Sequence, residues 1–70
     1  MENVTYRADS EQANLAGTTL ADVRAMYEHQ FNIPTDAAAM VNGKEIEDEQ
    51  GYVIKPGDKV EFSKAQKKGS

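Results

Sequence analysis

The sequence predicts an α+β domain in which one helix lies across one face of a small mixed sheet. Three observations carry that prediction. A short apolar run, Ala37 to Val41, ends at Asn42-Gly43, a pair that tolerates the two positive φ values of a type I′ hairpin turn. Leu20, Val23, Tyr27 and Phe31 follow at intervals of three, four and four residues, a stripe roughly 80° wide on a helix. Lys59-Val60-Glu61-Phe62-Ser63 alternates polar and apolar, the period of a strand with one buried face. A single helix is too little to cover both faces of a parallel sheet, so it must pack on one face alone.

In chain order, Val4, Tyr6 and Ala8 alternate with Thr5 and Arg7, predicting a first strand over about 3–8. Asp9-Ser10-Glu11 reads as a polar turn, and 12–16 as a weaker returning edge strand with Ala13 and Leu15 inward. Gly17 breaks that pattern. Thr19 with Asp22 three residues on resembles a capping box, and Asp22 adds negative charge to the first helical turn, where the dipole favours it. Asn32-Ile33-Pro34 ends the helix, because proline disfavours a helical residue before it. Beyond the Asn42-Gly43 hairpin, Lys44-Glu45-Ile46 is a brief return strand leading into Glu47-Asp48-Glu49. Lys55-Pro56-Gly57-Asp58 then has the chemistry of a type II turn, with Pro56 and Gly57 at its two corners.

Length and composition narrow the function. Seventy residues make one domain, with a core worth roughly 3–5 kcal/mol net, too little to hollow into a deep catalytic cavity. The absence of cysteine excludes disulfides, thiolate metal sites and thiol catalysis. No window approaches a membrane span and no signal pattern is present, so a cytoplasmic protein without membrane partners is expected. Residues 1–63 carry five basic against twelve acidic side chains, a balance of −7, while Lys64, Lys67 and Lys68 put +3 on the last seven residues. A body this acidic repels phosphate backbones and argues against nucleic acid as a ligand.

Pairing the first and last strands side by side and parallel in the middle of the sheet would bury Val4, Tyr6, Val60 and Phe62 together. That is the β-grasp arrangement, with a domain over 1–63 and a basic tail over 64–70. The residues of its second half carry a resemblance. Ile33-Pro34, Asp36, the apolar run, Gly43-Lys44, Ile46, Glu47 and Asp48 resemble the segment after the helix in ubiquitin. Val41-Asn42-Gly43-Lys44, Tyr52-Val53-Ile54 and Lys55-Pro56-Gly57-Asp58-Lys59-Val60-Glu61-Phe62 are closer to the small sulfur carriers, the thiamine-biosynthesis carrier and the molybdopterin synthase small subunit. The same pattern recurs in the TGS domain, a nucleic-acid-associated module that the acidic body disfavours.

The resemblance implies a monomeric, non-enzymatic carrier or modifier whose C-terminal carboxylate is activated by an adenylating enzyme, with no cofactor of its own. The attachment residues would be Gly69 and Ser70. Seven extended residues after Ser63 reach roughly 23–25 Å, enough to enter a partner's active site. The sequence ends Lys68-Gly69-Ser70 where those families end in Gly-Gly. Three explanations stand: removal of Ser70, a Gly-Ser cloning remnant, or a domain that is never activated and works by binding alone.

The alternative is a non-covalent interaction module. With Ala39 and Val41 inward, Met40 turns outward beside Ala38, an adaptable contact for a protein partner; the competing reading has Met40 facing the helix as part of the core. Lys64, Lys67 and Lys68 complete the partner-binding candidates, with a solvated terminus as their plain reading. His29 falls about 160° from the centre of the apolar stripe and reads as solvated. The acidic run Glu45, Glu47, Asp48 and Glu49 reads as solvated loop, with docking of a basic partner as the other reading. Adjacent carboxylates on a short loop have no pocket to raise a pKa, and the spacing of a calcium loop is absent, so neither hydrolysis nor metal binding is expected.

Overall fold

The structure, a computed structural model, describes residues 1–64 of the chain. Its elements are β1 (Glu2–Tyr6), β2 (Asp9–Ala13), α1 (Leu20–Tyr27), β3 (Ala38–Val41), β4 (Lys44–Glu45) and β5 (Lys59–Ser63). The five strands form one mixed sheet in the order β2-β1-β5-β3-β4. β1 and β5 pair in parallel at the centre, with Val4 opposite Val60 and Tyr6 opposite Phe62, and every other pairing is antiparallel. With α1 on one face this is the β-grasp arrangement.

The inward residues of each strand meet the helical stripe. Val4, Leu20, Val23 and Val60 are fully buried, and Phe62, Ala39 and Ile54 nearly so. Tyr27 and Phe31 pack with ring centroids 5.2 Å apart. All four stripe residues named from the sequence lie in this core. Truncating any large member costs about 2–5 kcal/mol, comparable to the whole margin of a domain this small.

The first hairpin differs from expectation. Its turn is Arg7-Ala8, with Tyr6 opposite Asp9, so only two residues separate β1 from β2, which comprises the polar stretch DSEQA. Arg7 adopts φ 57°, a left-handed conformation uncommon outside glycine and asparagine, which the sequence does not advertise. Leu15 is buried as expected, but from the segment after β2 and not from within the strand.

Thr19 caps α1, its side-chain oxygen accepting from Asp22 N at 3.2 Å. Regular helix stops at Tyr27, yet hydrogen-bonded turns continue to Asn32 at φ 56°. Ile33 N donates to Glu28 O at 2.9 Å and Asn32 N to His29 O at 3.4 Å, the paired bonds of a Schellman stop. Asn32 thus closes the helical turns two residues ahead of Pro34. The segment 49–54 runs beside the start of α1: Leu20 N donates to Tyr52 O and Ala21 N to Glu49 O, while Gly17 and Thr18 exchange backbone bonds with Ile54. The Tyr52 and Glu49 carbonyls thereby take up helical N–H groups that have no partner within the helix.

The other two turns form as the sequence predicts. Asn42 and Gly43 take φ 55° and 84° between Val41 and Lys44, and Gly57 takes φ 83° in the turn closed by Asp58 N to Lys55 O at 3.1 Å.

Two buried carboxylates tie these pieces together. Glu2 accepts from Leu15 N at 2.6 Å, Ala16 N at 2.9 Å and Gly57 N at 3.0 Å. The Gly57 and Leu15 N–H groups hold its pKa below the ordinary carboxylate value despite burial. Burial works against the charged form of Asp58, but bonds from Lys55 N, Asn42 and Tyr52 outweigh it and depress its pKa as well. Both groups therefore contribute stability that is complete above their unfolded-state values, 4.5 and 3.8. That stability drains away as pH falls through the lower folded values. Thermal melts across this range should show the melting temperature falling as the solution is acidified below about pH 4.5. A melting temperature that holds or rises would contradict the assignment.

Candidate interaction surface

The helix covers one face of the sheet and leaves the other open. The open face is written by strand alternation. Residues paired across the strands give two parallel rows, because partners in register point the same way. One row runs Ser10, Thr5, Glu61, Met40, Glu45 from β2 to β4, and the row beside it runs Gln12, Asn3, Lys59.

Met40 points outward and is half-buried, while Ala39 and Val41 on either side are buried at 1 % and 3 % exposure. The sequence-derived orientation holds. Met40 sits between two carboxylates in register, Glu61 on β5 and Glu45 on β4, with half-buried Ala38 on the same side of β3. On the β1 side the face is polar and internally bonded. Asn3 Nδ2 donates to Thr5 Oγ1 at 3.0 Å, Thr5 Oγ1 to Ser10 Oγ at 3.4 Å, and Ser10 Oγ to Asn3 Oδ1 at 3.4 Å. Between these zones lies an open groove of about 540 Å³ lined by Asn3, Thr5, Asn42, Gly43, Lys59, Val60 and Glu61. Lys59 and Glu61 take part in no ion pair among the described residues, so their charge is available to a ligand.

Lys64 follows β5 directly and is exposed. Lys67, Lys68, Gly69 and Ser70 lie outside the described residues. His29 is exposed, as the helical angle predicts.

The acidic run requires a correction. Glu45 is exposed on the edge strand, and Glu47 and Asp48 are exposed, but Glu49 is no solvated loop residue. Its carboxylate takes both arms of Arg24, Nε to Oε1 at 2.8 Å and Nη2 to Oε2 at 2.7 Å. The same guanidinium donates to Ala37 O at 2.6 Å and stacks over Phe62, 5.1 Å from the ring centroid. The Glu49 hydrogen bonds raise the Arg24 pKa further. Asp48 is also used: its carboxylate accepts from Gly51 N at 3.1 Å, and a Cβ on Gly51 would collide with it.

Glu2, Arg24 and Asp58 were all missed from sequence, and two of them left a signal. Glu2 shares the parity of Val4 and Tyr6, so alternation already turns it inward. Arg24 lies about 20° beyond the edge of the Leu20–Phe31 stripe, where a charge must find partners. Asp58 left only its place in a turn.

Among the described residues, no three His, Asp or Glu side chains assemble as a metal site would need, and no helix is long and apolar enough to cross a membrane. No protein-family model matches the chain, and no curated protein matches it in sequence.

Proposed function

We propose that this chain is a β-grasp protein-interaction module that binds a partner non-covalently through the open face of its sheet. The carrying observation is the row Glu61–Met40–Glu45 beside the groove: an adaptable apolar side chain framed by two carboxylates on a rigid sheet. A complementary partner places an apolar residue over Met40 and basic side chains over Glu61 and Glu45. Charge complementarity of this kind governs encounter rate and specificity, and apolar burial at the centre supplies affinity. Catalytic residues have no part in this reading.

Two substitutions test it. Because Met40 and Glu61 point away from the core, Met40→Glu and Glu61→Lys should change folding stability by no more than about 1 kcal/mol. Each should weaken partner binding by at least about ten-fold: Met40→Glu buries a carboxylate against the partner's apolar residue, and Glu61→Lys sets like charges face to face. Thermal melts and titration calorimetry with the purified partner separate the two quantities. Loss of folding in either variant, or unchanged affinity in both, sinks the reading.

A second reading keeps the resemblance to sulfur carriers. The last strand, β5, is also a central strand, so the chain leaves the sheet from its middle at Ser63 and Lys64. On this reading an adenylating enzyme takes the tail, and deleting Gly69 and Ser70 abolishes transfer while sparing non-covalent binding. Intact-mass spectrometry of protein from its native cells would show a terminal thiocarboxylate, a processed end or a conjugate if it holds. A single unmodified species alongside an expressed activating enzyme would count against it.

A further inference from the structure

We propose that Asn42 is a site of spontaneous covalent modification, in which its side-chain amide becomes a carboxylate and the hairpin tip loses its side-chain tie to Asp58. The inference does not depend on the docking reading. Asn42 precedes Gly43, the neighbour that leaves the backbone nitrogen least hindered. It also makes two bonds to Lys59 at the start of β5 and one to Asp58 in the turn before it. Its Nδ2 donates to Asp58 Oδ1 at 3.0 Å, its Oδ1 accepts from Lys59 N at 3.0 Å, and its backbone N donates to Lys59 O at 2.8 Å. Asp58 is only 6 % exposed, and its other oxygen is held by Tyr52 Oη at 3.0 Å and Lys55 N at 2.9 Å.

The chemistry needs only water. The Gly43 backbone nitrogen attacks Asn42 Cγ, forming a new N–C bond, and the Cγ–Nδ2 bond breaks. The amide nitrogen leaves as ammonia, carrying the proton lost by Gly43. Water then opens the cyclic imide at one carbonyl or the other, giving aspartate or isoaspartate. No electron changes hands. In the folded chain both ends of the amide are held, so Cγ reaches the Gly43 nitrogen only when those bonds open.

The product undoes the lock that shielded the amide. Where Nδ2 donated to Asp58, a carboxylate oxygen now faces a second carboxylate, and neither has a proton to offer at neutral pH. Asp58 cannot turn away without abandoning Tyr52 and Lys55 N. The isoaspartate product adds a backbone methylene to a two-residue turn and so spoils the Val41–Lys44 register as well. Because Asn42 also lines the groove, the change alters the open face irreversibly.

Peptide mass spectrometry of the full chain, incubated at mildly alkaline pH with and without urea, tests the rate. Asn3, Asn14 and Asn32, each followed by a bulky apolar residue, serve as internal controls. Asn42 should convert ahead of all three in urea and be slowed on the order of ten-fold or more in the native chain, because two hydrogen bonds must open first. Equal rates with and without urea would overturn the protection. Thermal melts test the consequence. Asn42→Asp should lower the melting temperature by roughly 4–8 °C. The swap Asn42→Asp with Asp58→Asn restores one donor facing one acceptor and should recover most of the loss. An unchanged melting temperature in the single variant, or no recovery in the swap even where the single variant fails to fold, would overturn the lock.

Discussion

Replacing Glu2 with alanine should lower the melting temperature by roughly 8–16 °C, a large share of the stability of a 70-residue domain. The substitution strands the Leu15, Ala16 and Gly57 N–H groups in a site where Glu2 itself is only 2 % exposed. Burying donors without acceptors costs more than the bonds were worth. Those donors come from the entry to the helix and from the turn before β5, so the loss loosens the end of the central parallel pair where both strands begin. Glu2→Gln should fall between. An amide oxygen can keep the Leu15 and Ala16 bonds on one side, but its nitrogen then faces the Gly57 N–H as donor against donor. The Met1 ammonium, 3.9 Å from Oε2 and largely exposed, adds little. Circular-dichroism melts of the two variants check the order. Alanine matching wild type would show that the carboxylate braces nothing.

Arg24→Ala should cost about 2–3 kcal/mol and Glu49→Ala slightly less. The difference arises because Arg24 also donates to Ala37 O and covers Phe62. The pair is partly shielded, with 17 % and 22 % side-chain exposure, and bidentate, so it exceeds an ordinary surface bridge. Removing arginine leaves the Glu49 carboxylate and the Ala37 carbonyl without their donor. Removing glutamate leaves a guanidinium that keeps its carbonyl and its ring. In a double-mutant cycle under urea denaturation, the two losses should be clearly less than additive. Additive losses would mean that each side chain acts alone and that the segment at 49 is held by its backbone bonds.

These two variants also mark the boundary of what sequence alone conveys. Asn42-Gly43, Pro56-Gly57 and the Leu20–Phe31 stripe placed two turns, the helix and the core face, because each obeys a local rule of dihedral angle or periodicity. Strand parity put Met40 outward for the same reason. The first hairpin slipped because Arg7 takes a left-handed φ that nothing local demands, and because β2 is too polar to show an inward face. Glu49 reads as solvated loop from sequence because its partner lies 25 residues away on the helix. The Glu2 contact with Gly57 spans 55 residues. Tertiary electrostatics of this range leave parity and stripe position as hints, and the partners become visible only in the fold. The open face fell between these cases. Its alternation was readable, but the row of Glu61, Met40 and Glu45 depends on register across three strands.

A photo-crosslinking scan in the native cells tests the open face most directly, with a photoreactive residue placed in turn at 40, at 29 and at 67. The docking account predicts a discrete adduct from position 40 that disappears when Glu61→Lys is added, and none from 29 on the exposed helix side. Adducts from 67 alone, or an adduct at 40 indifferent to Glu61→Lys, would contradict it and move the function to the tail.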